Sequence, residues 1–210
     1  MSIKNIIFDL GGVMIDWQPR RLYKKLFYSD HAIDFFLNNV TTSDWNEQQD
    51  EGRPIAIANK ELIRTYPEYT PEIEAYYQHW EAEMLGNAIP GMKDVLNFFV
   101  QSPRFNKVVA LTNWSAETFP FAQKKFEFLD WFDGIIVSGK EKMKKPDPKI
   151  YHLLLDRFSI IARESLFIDD SARNVKAAQS IGIPGIQFTG KENLLRELAT
   201  YSIEIIEKDR

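Results

Sequence analysis

The 210-residue chain contains no cysteine. Disulfides, thiolate metal centres and cysteine nucleophiles are therefore excluded, and the composition is compatible with a reducing compartment. Histidine is scarce too. His31, His79 and His152 form no metal-ligand spacing with one another, and His152 reads as a structural or exposed residue. Positive charge is not in excess: 26 Lys and Arg against 30 Asp and Glu leave a formal charge of −4. No broad basic surface follows, so nucleic acid is not an expected partner. No apolar run approaches the ~18 residues of a membrane span, so no membrane partner is expected either. The N-terminus lacks a basic segment followed by a long apolar run, which predicts no signal peptide and a cytoplasmic location. Internal repeats and low-complexity segments are absent. What remains is ordinary globular composition, 44% hydrophobic and 27% charged. The length allows one good core with a smaller appended unit, as a monomer or homodimer.

Against that background, four short apolar runs end in polar residues. The opening run, IKNIIFDLGGV, ends at Asp9; KVVALTN ends at Thr112 and Asn113; GIIVSGK ends at Ser138; SLFIDDS ends at Asp169 and Asp170. Short β-branched runs of this kind fit strands buried on both faces of a parallel sheet. Helical stretches separate them: GMKDVLNFFVQ, AETFPFAQKKFEFL and PKIYHLLLDRF. The alternation predicts βαβ units and an open, Rossmann-like α/β sheet with helices on both faces. Ligands collect at the carboxyl ends of strands in such sheets, so Asp9 is expected to be presented at a crevice rather than buried.

Residues 17–87 read differently. Ile33, Phe36, Leu37 and Val40 follow helical spacing, as do Ile73, Tyr76, Tyr77, Trp80 and Met84, and Pro54 and Pro71 stand where helices would begin. The expected organisation is an α/β core from residues 1–16 and 88–210, with a small helical cap domain over 17–87. Its connections are expected near Ile15–Trp17 and at GNAIPG, a hinge candidate that lets the insert act as a lid. The last segment, YSIEIIEKDR, is expected to hold a final edge strand and a short tail.

Several strand-end residues carry chemistry. Asp9 suits a nucleophile or a metal ligand, and Gly11 and Gly12 allow a sharp turn and close ligand approach. The plainer alternative is a carboxylate that caps a turn. Asp169 and Asp170 are adjacent like charges, which repel unless something positive is near. An all-oxygen donor set suits Mg²⁺; alternatively both acids serve the start of the following helix, which Ser171 can cap and Gly182 can end. Lys145 precedes Pro146 and a helix start formed by Asp147 and Pro148, so a fixed ammonium is expected there. Lys140, Lys142 and Lys144 read as solvated. Thr112 and Asn113 offer a hydroxyl, an amide and backbone N–H groups to phosphate oxygens.

In this order, Asp9 in FDLGGV, Thr112 in LTN, Lys145 in KKPDPKIY and Asp169 with Asp170 in FIDDS resemble the haloacid dehalogenase-like (HAD) hydrolase superfamily. The resemblance covers nearly the whole chain, and the insert after the first motif is similar in placement to the family's helical cap. It implies that Asp9 attacks phosphorus and forms an aspartyl-phosphate that water hydrolyses. It further implies Mg²⁺ held by Asp9, the backbone carbonyl of Gly11 and Asp170, with Asp169 acting through a metal-bound water. Thr112 and Lys145 would grip the phosphoryl group. Positioning and charge neutralisation supply most of the catalysis in such chemistry.

One departure matters. Most phosphatases of the superfamily carry an acid two residues after the nucleophile, where this chain has Gly11. General acid–base help is typically worth about 10²–10⁴-fold. Three readings follow. A 2-haloacid dehalogenase needs no such acid, but does not keep the paired acids. A phosphatase acting on a sugar 1-phosphate has an easier leaving group, and FDLGGV resembles a subgroup with glycine at that place that includes α-D-glucose-1-phosphate phosphatase-like enzymes. A degenerate member would bind phosphorylated metabolites or a protein without turnover. The second reading is preferred: a Mg²⁺-dependent phosphatase of a small phosphorylated metabolite. Asp16, His79 and Glu83 are candidate replacement acids. Of the insert's aromatics, most are expected to fill a small bundle, while Trp17, just past the nucleophile loop, could face the substrate. Arg20, Arg21, Lys24 and Lys25 read as a solvated helix face.

Overall fold

In the computed structural model, which describes residues 2–205, the opening run forms strand β1 (Asn5–Phe8), buried throughout. After a tight loop comes β2 (Ile15–Trp17). Five helices follow: α1 (Pro19–Leu26), α2 (Asp30–Asn39), α3 (Ser43–Asp50), α4 (Ile55–Thr65) and α5 (Thr70–Gln78). A turn of π-helix, Trp80–Met84, leads into β3 (Leu85–Ala88). The remainder alternates: α6 (Met92–Gln101), β4 (Lys107–Thr112), α7 (Phe119–Lys125), β5 (Gly134–Val137), α8 (Ser138–Glu141), α9 (Pro148–Phe158), β6 (Ser165–Asp169), α10 (Ala172–Ser180), β7 (Gly185–Gln187) and α11 (Lys191–Thr200).

The main sheet has five strands in the order β5-β4-β1-β6-β7, each pairing parallel. Side-chain alternation divides two cores between its faces. Ile6, Phe8, Val108, Ala110, Leu166 and Ile168 meet α6 and α11 on one side. Ile7, Val109, Leu111 and Phe167 meet α9 and α10 on the other. Each fully buried aliphatic side chain contributes about 1.5–3 kcal/mol, so the continuous apolar runs suffice to define a doubly covered sheet. β1 lies at its centre, with β4 and β6 on either side, and Phe8 is in register with Ala110 and Ile168. Asp9, Thr112 and Asp169 thus come to the carboxyl ends of three adjacent strands.

The five-helix insert is filled by its own aromatic residues. Tyr23, Phe27, Phe36 and Tyr69 form one group of ring contacts and Trp45, Tyr76 and Tyr77 another, joined where Tyr23 meets Tyr76. β2 and β3 pair antiparallel, Ile15 opposite Ala88 and Trp17 opposite Leu85, so the chain enters and leaves the insert through one ribbon. No strand is legible in residues 17–86 from sequence, because β2 and β3 are too short to show alternation. β7 escapes notice for the same reason. The edge strand expected at the end of the chain is not found in residues 201–205, where the chain turns and runs irregularly; the rest of that segment, 206–210, lies outside the described residues. Arg104 holds this turn by donating to the carbonyls of Tyr201 and Ser202, and Ile203 is buried. AETFPFAQKKFEFL yields a shorter helix than its length suggests: α7 starts where Pro120 fits the first turn, and a 3₁₀ segment, Glu127–Trp131, follows.

Candidate active site

The β1 end is built around a buried ammonium. Lys145 is 0% exposed. Its Nζ donates to Asp9 Oδ1 at 2.8 Å, Asp169 Oδ2 at 2.7 Å and the Leu111 carbonyl at 2.8 Å. Three donors are thereby matched to three acceptors. Burial alone would lower the ammonium's pKa, but Asp169 and then Asp9 outweigh it and raise it. The Lys145 backbone is clamped as well: its N–H donates to Asn113 Oδ1 at 2.8 Å, and Asn113 Nδ2 donates to its carbonyl at 2.9 Å. The Asn113 side-chain amide is therefore committed to holding Lys145 rather than turned to a ligand. At the next helix start, Asp147 accepts from the Lys149 N–H at 2.9 Å and caps α9.

Asp9 is only 7% exposed, against the expectation of an open carboxylate. Its environment is dense because β1 is the central strand and the following loop folds back on it: Met14 and Ile15 N–H both donate to the Leu10 carbonyl. Oδ1 accepts from the Leu10 N–H at 2.7 Å as well as from Lys145. Among the described residues no hydrogen bond falls on Oδ2, which leaves one oxygen to act. Burial pushes the Asp9 carboxyl upward; the Lys145 ammonium opposes this and the Asp169 carboxylate reinforces it.

Asp169 and Asp170 divide their work. Asp169 is fully buried and accepts from Lys145, from the Ser171 N–H at 2.8 Å and from Asn174 Nδ2 at 3.0 and 3.2 Å. It ties down the start of α10 through the Ser171 N–H and the Asn174 side chain, while the Ser171 hydroxyl makes no capping bond, and at the same time it orients Lys145. Asp170 is exposed and lies against Gly12, where a Cβ would come 2.3 Å from its Oδ2. Gly12 also needs its positive φ of 73°. Burial and then Asp169 raise the Asp170 pKa, against Lys145.

The three carboxylates, Asp9, Asp169 and Asp170, offer oxygens that all lie within 4.8 Å of one another. A single ammonium faces all three, and the donor set is entirely oxygen, so the residues fit a hard divalent cation. Beside them the buried Thr112 hydroxyl has no partner among the described residues, which suits a ligand oxygen.

At Gly11 of the loop after Asp9 and at Asn113, next to Thr112, lies an open pocket, lined also by Trp17, Asn46, Asp50, Tyr77, Trp80, Trp114 and Thr118. Gly11 and Asn113 come from the core; Asn46, Asp50 and Tyr77 come from α3 and α5 of the insert. A Cβ at Gly11 would meet nothing within 4 Å, so sterics do not account for the glycine. The three candidate acids lie outside the lining. Asp16 pairs with Arg21, Glu83 pairs with Lys25, and His79 is exposed. Arg20 pairs with Asp30 and Asp34, so the basic start of the insert is largely neutralised locally. Lys144 is not merely solvated. It bonds Glu47 of α3 at 3.1 Å, and Arg173 of α10 reaches the same carboxylate at 2.8 Å, which ties the insert to the core. Asp50, Asn46, Trp114 and Thr118 escaped sequence reasoning. In particular SDWNEQQD is a polar helix whose letters carry no sign of which acid faces a ligand.

Comparison with known proteins gives a consistent picture. The family model of haloacid dehalogenase-like hydrolases matches residues 3–182. A phosphoglycolate phosphatase of Yersinia pseudotuberculosis is 39% identical over 213 residues, covering 95% of this chain and 86% of the relative. A phosphorylated carbohydrates phosphatase of Thermotoga maritima is 26% identical over 186 residues, covering 86% and 82%. Among solved structures, a HAD family enzyme of Bacteroides thetaiotaomicron in a magnesium complex superposes with a TM-score of 0.69 at 24% identity, covering 90% of this chain and 94% of that one. At that identity the likeness is one of fold.

Proposed function

The chain belongs to the haloacid dehalogenase-like hydrolases, and on that premise we propose that it is a Mg²⁺-dependent phosphatase of a small phosphorylated metabolite, a sugar phosphate, working through an aspartyl-phosphate on Asp9. The observation that carries the reading is the Lys145 ammonium bonded at once to Asp9 and Asp169, beside an unpartnered Thr112 hydroxyl. The relatives named as phosphatases support the same class of reaction.

In this mechanism Asp9 attacks phosphorus with Oδ2, the oxygen not held by Lys145 and the Leu10 N–H. Lys145 has its three protons engaged, so it acts by neutralising charge and fixing the rotamer of Asp9 rather than by reaching for the substrate. The Thr112 hydroxyl donates to a phosphoryl oxygen. Asn113 and Asp169 position Lys145. Asp9, the Gly11 carbonyl and Asp170 would hold Mg²⁺, with Asp169 behind them. When bound, the cation neutralises charge on the transferring phosphoryl group. Helices α1–α5 form a cap domain over this floor, and their side chains with Trp17 receive the rest of the substrate.

The substrate class follows from the lining. Trp17, Tyr77, Trp80 and Trp114 offer aromatic faces, Asn46 and Thr118 offer neutral polar groups, and no Lys or Arg is among the lining residues. Sugars stack on such faces. A substrate with a second anionic group, such as phosphoglycolate, would meet Asp50 in a lining that contains no Lys or Arg.

The test is phosphate release, with and without Mg²⁺, from sugar 1-phosphates, sugar 6-phosphates and phosphoglycolate. Metal-dependent turnover of sugar phosphates is expected, with Asp9→Asn lowering kcat by at least about 10³-fold, as loss of a nucleophile does. Full activity in Asp9→Asn would falsify the covalent mechanism.

A further inference from the structure

The position that lacks an acid at Gly11 faces a pocket that contains one. Among the lining residues Asp50 is the single carboxyl. It is the last residue of α3, and its placement is fixed from both sides of the seam. Ser138 Oγ, at the end of β5, donates to the Asp50 carbonyl at 2.5 Å. Asn46 Nδ2, one turn back, donates to Asp50 Oδ2 at 3.1 Å. Asn46 Oδ1 in turn accepts from the Tyr76 and Tyr77 hydroxyls at 3.1 and 2.9 Å. Two tyrosines and an asparagine thus hold one carboxyl oxygen, while a Cβ added at Gly11 would meet no atom within 4 Å.

The surroundings suit a group that gives up and regains a proton near neutral pH. Burial, and then Glu47 on the same helix, push the Asp50 carboxyl up to about 7, against the Ser115 backbone and Lys144. The charged and titratable groups facing it are Glu47 on α3, Lys144 from the core, and Tyr76 and Tyr77 on α5. The negative end of α3 also favours its neutral form.

We propose that Asp50 is the general acid of this enzyme, delivered to the leaving oxygen by the insert instead of by the nucleophile loop. The inference rests on the phosphatase reading above. In the first step the Asp9 Oδ2–phosphorus bond forms, the bond from phosphorus to the leaving oxygen breaks, and the Asp50 proton passes to that oxygen, releasing the free alcohol. In the second step a water attacks phosphorus and its proton returns to the Asp50 carboxylate. The bond to Asp9 breaks, inorganic phosphate leaves, and both aspartates are restored.

Substrates that differ in their need for a proton provide the test. p-Nitrophenyl phosphate has a leaving group that departs as the anion; glycerol 2-phosphate does not. In Asp50→Asn, the first-turnover release of nitrophenolate should stay within about threefold of wild type, while first-turnover cleavage of glycerol 2-phosphate should fall by about 10²–10⁴-fold. Wild-type kcat/KM for glycerol 2-phosphate should decline above about pH 7, and that limb should vanish in the variant. Adding Gly11→Asp to Asp50→Asn should restore cleavage of the alkyl ester. Equal losses on both substrates, or no loss on the alkyl ester, would overturn the assignment while leaving the phosphatase reading intact. Failure of the wild-type protein to cleave either substrate would overturn both.

Discussion

Lys145 shows how much one residue can carry. A fully buried ammonium between Asp9 and Asp169 satisfies all three of its protons internally. Such a group adds little stability relative to an apolar core, but removing it strands two carboxylates without compensation. Lys145→Met should therefore destabilise the fold by about 3–5 kcal/mol, measured by urea unfolding. It should also abolish turnover under conditions where the protein is folded. A variant as stable as wild type would mean that the carboxylates are held neutral. The same residue explains how an acid can stand at the end of an apolar strand: Asp9 tolerates its burial because a cation is already bonded to it. Of the residues singled out by sequence, Asn113 has its side chain bound to the Lys145 backbone, which no strand-end pattern could have revealed.

At the scale of elements, α3 both docks the insert and carries Asp50. Its Glu47 meets Lys144 and Arg173, and its last carbonyl accepts from Ser138. A second contact caps α4 from across the seam, where the Ile55 N–H donates to Glu117 Oε1 at 2.8 Å. Burial would raise the Glu47 pKa, but its bonds to Lys144 and Arg173 prevail and lower it. Its stabilising effect is therefore present above the ordinary glutamate value of 4.5 and is lost as pH falls through the lowered one. Glu47→Gln should cost only about 0.2–1 kcal/mol in a thermal melt, since the pair is partly solvated. It should lower kcat/KM on alkyl phosphates by more than that figure implies, because the helix it anchors holds the proton donor. A kinetic loss no larger than the stability loss would detach the seam from catalysis.

The core of the molecule is a parallel sheet that gathers acids at the carboxyl ends of its inner strands and needs positive charge to hold them. Three carboxylates around one ammonium should make stability depend on a divalent cation. Mg²⁺ at about 100 times its Kd adds about 2.7 kcal/mol to the folded state. For a chain of this size that corresponds to a rise in Tm of about 5–10 °C, which differential scanning fluorimetry would detect. Asp170→Asn should largely remove the rise; no rise in the wild-type protein would take the cation out of this site. The fold class and family were legible in the sequence. Runs such as KVVALT and SLFID are local, their residues are buried on both faces, and the polar residues that end them stand at strand ends whatever the neighbours are. The sequence by itself thus determined the parallel sheet and the strand ends at which chemistry collects. Only the tertiary structure decided which residues meet there. Asn113 reaches Lys145 across 32 positions, Ser138 reaches Asp50 across 88, and Lys144 reaches Glu47 across 97. Those partners are chosen by how the insert packs on the sheet, and a polar helix such as α3 carries no local mark of the face that packing will turn towards the substrate.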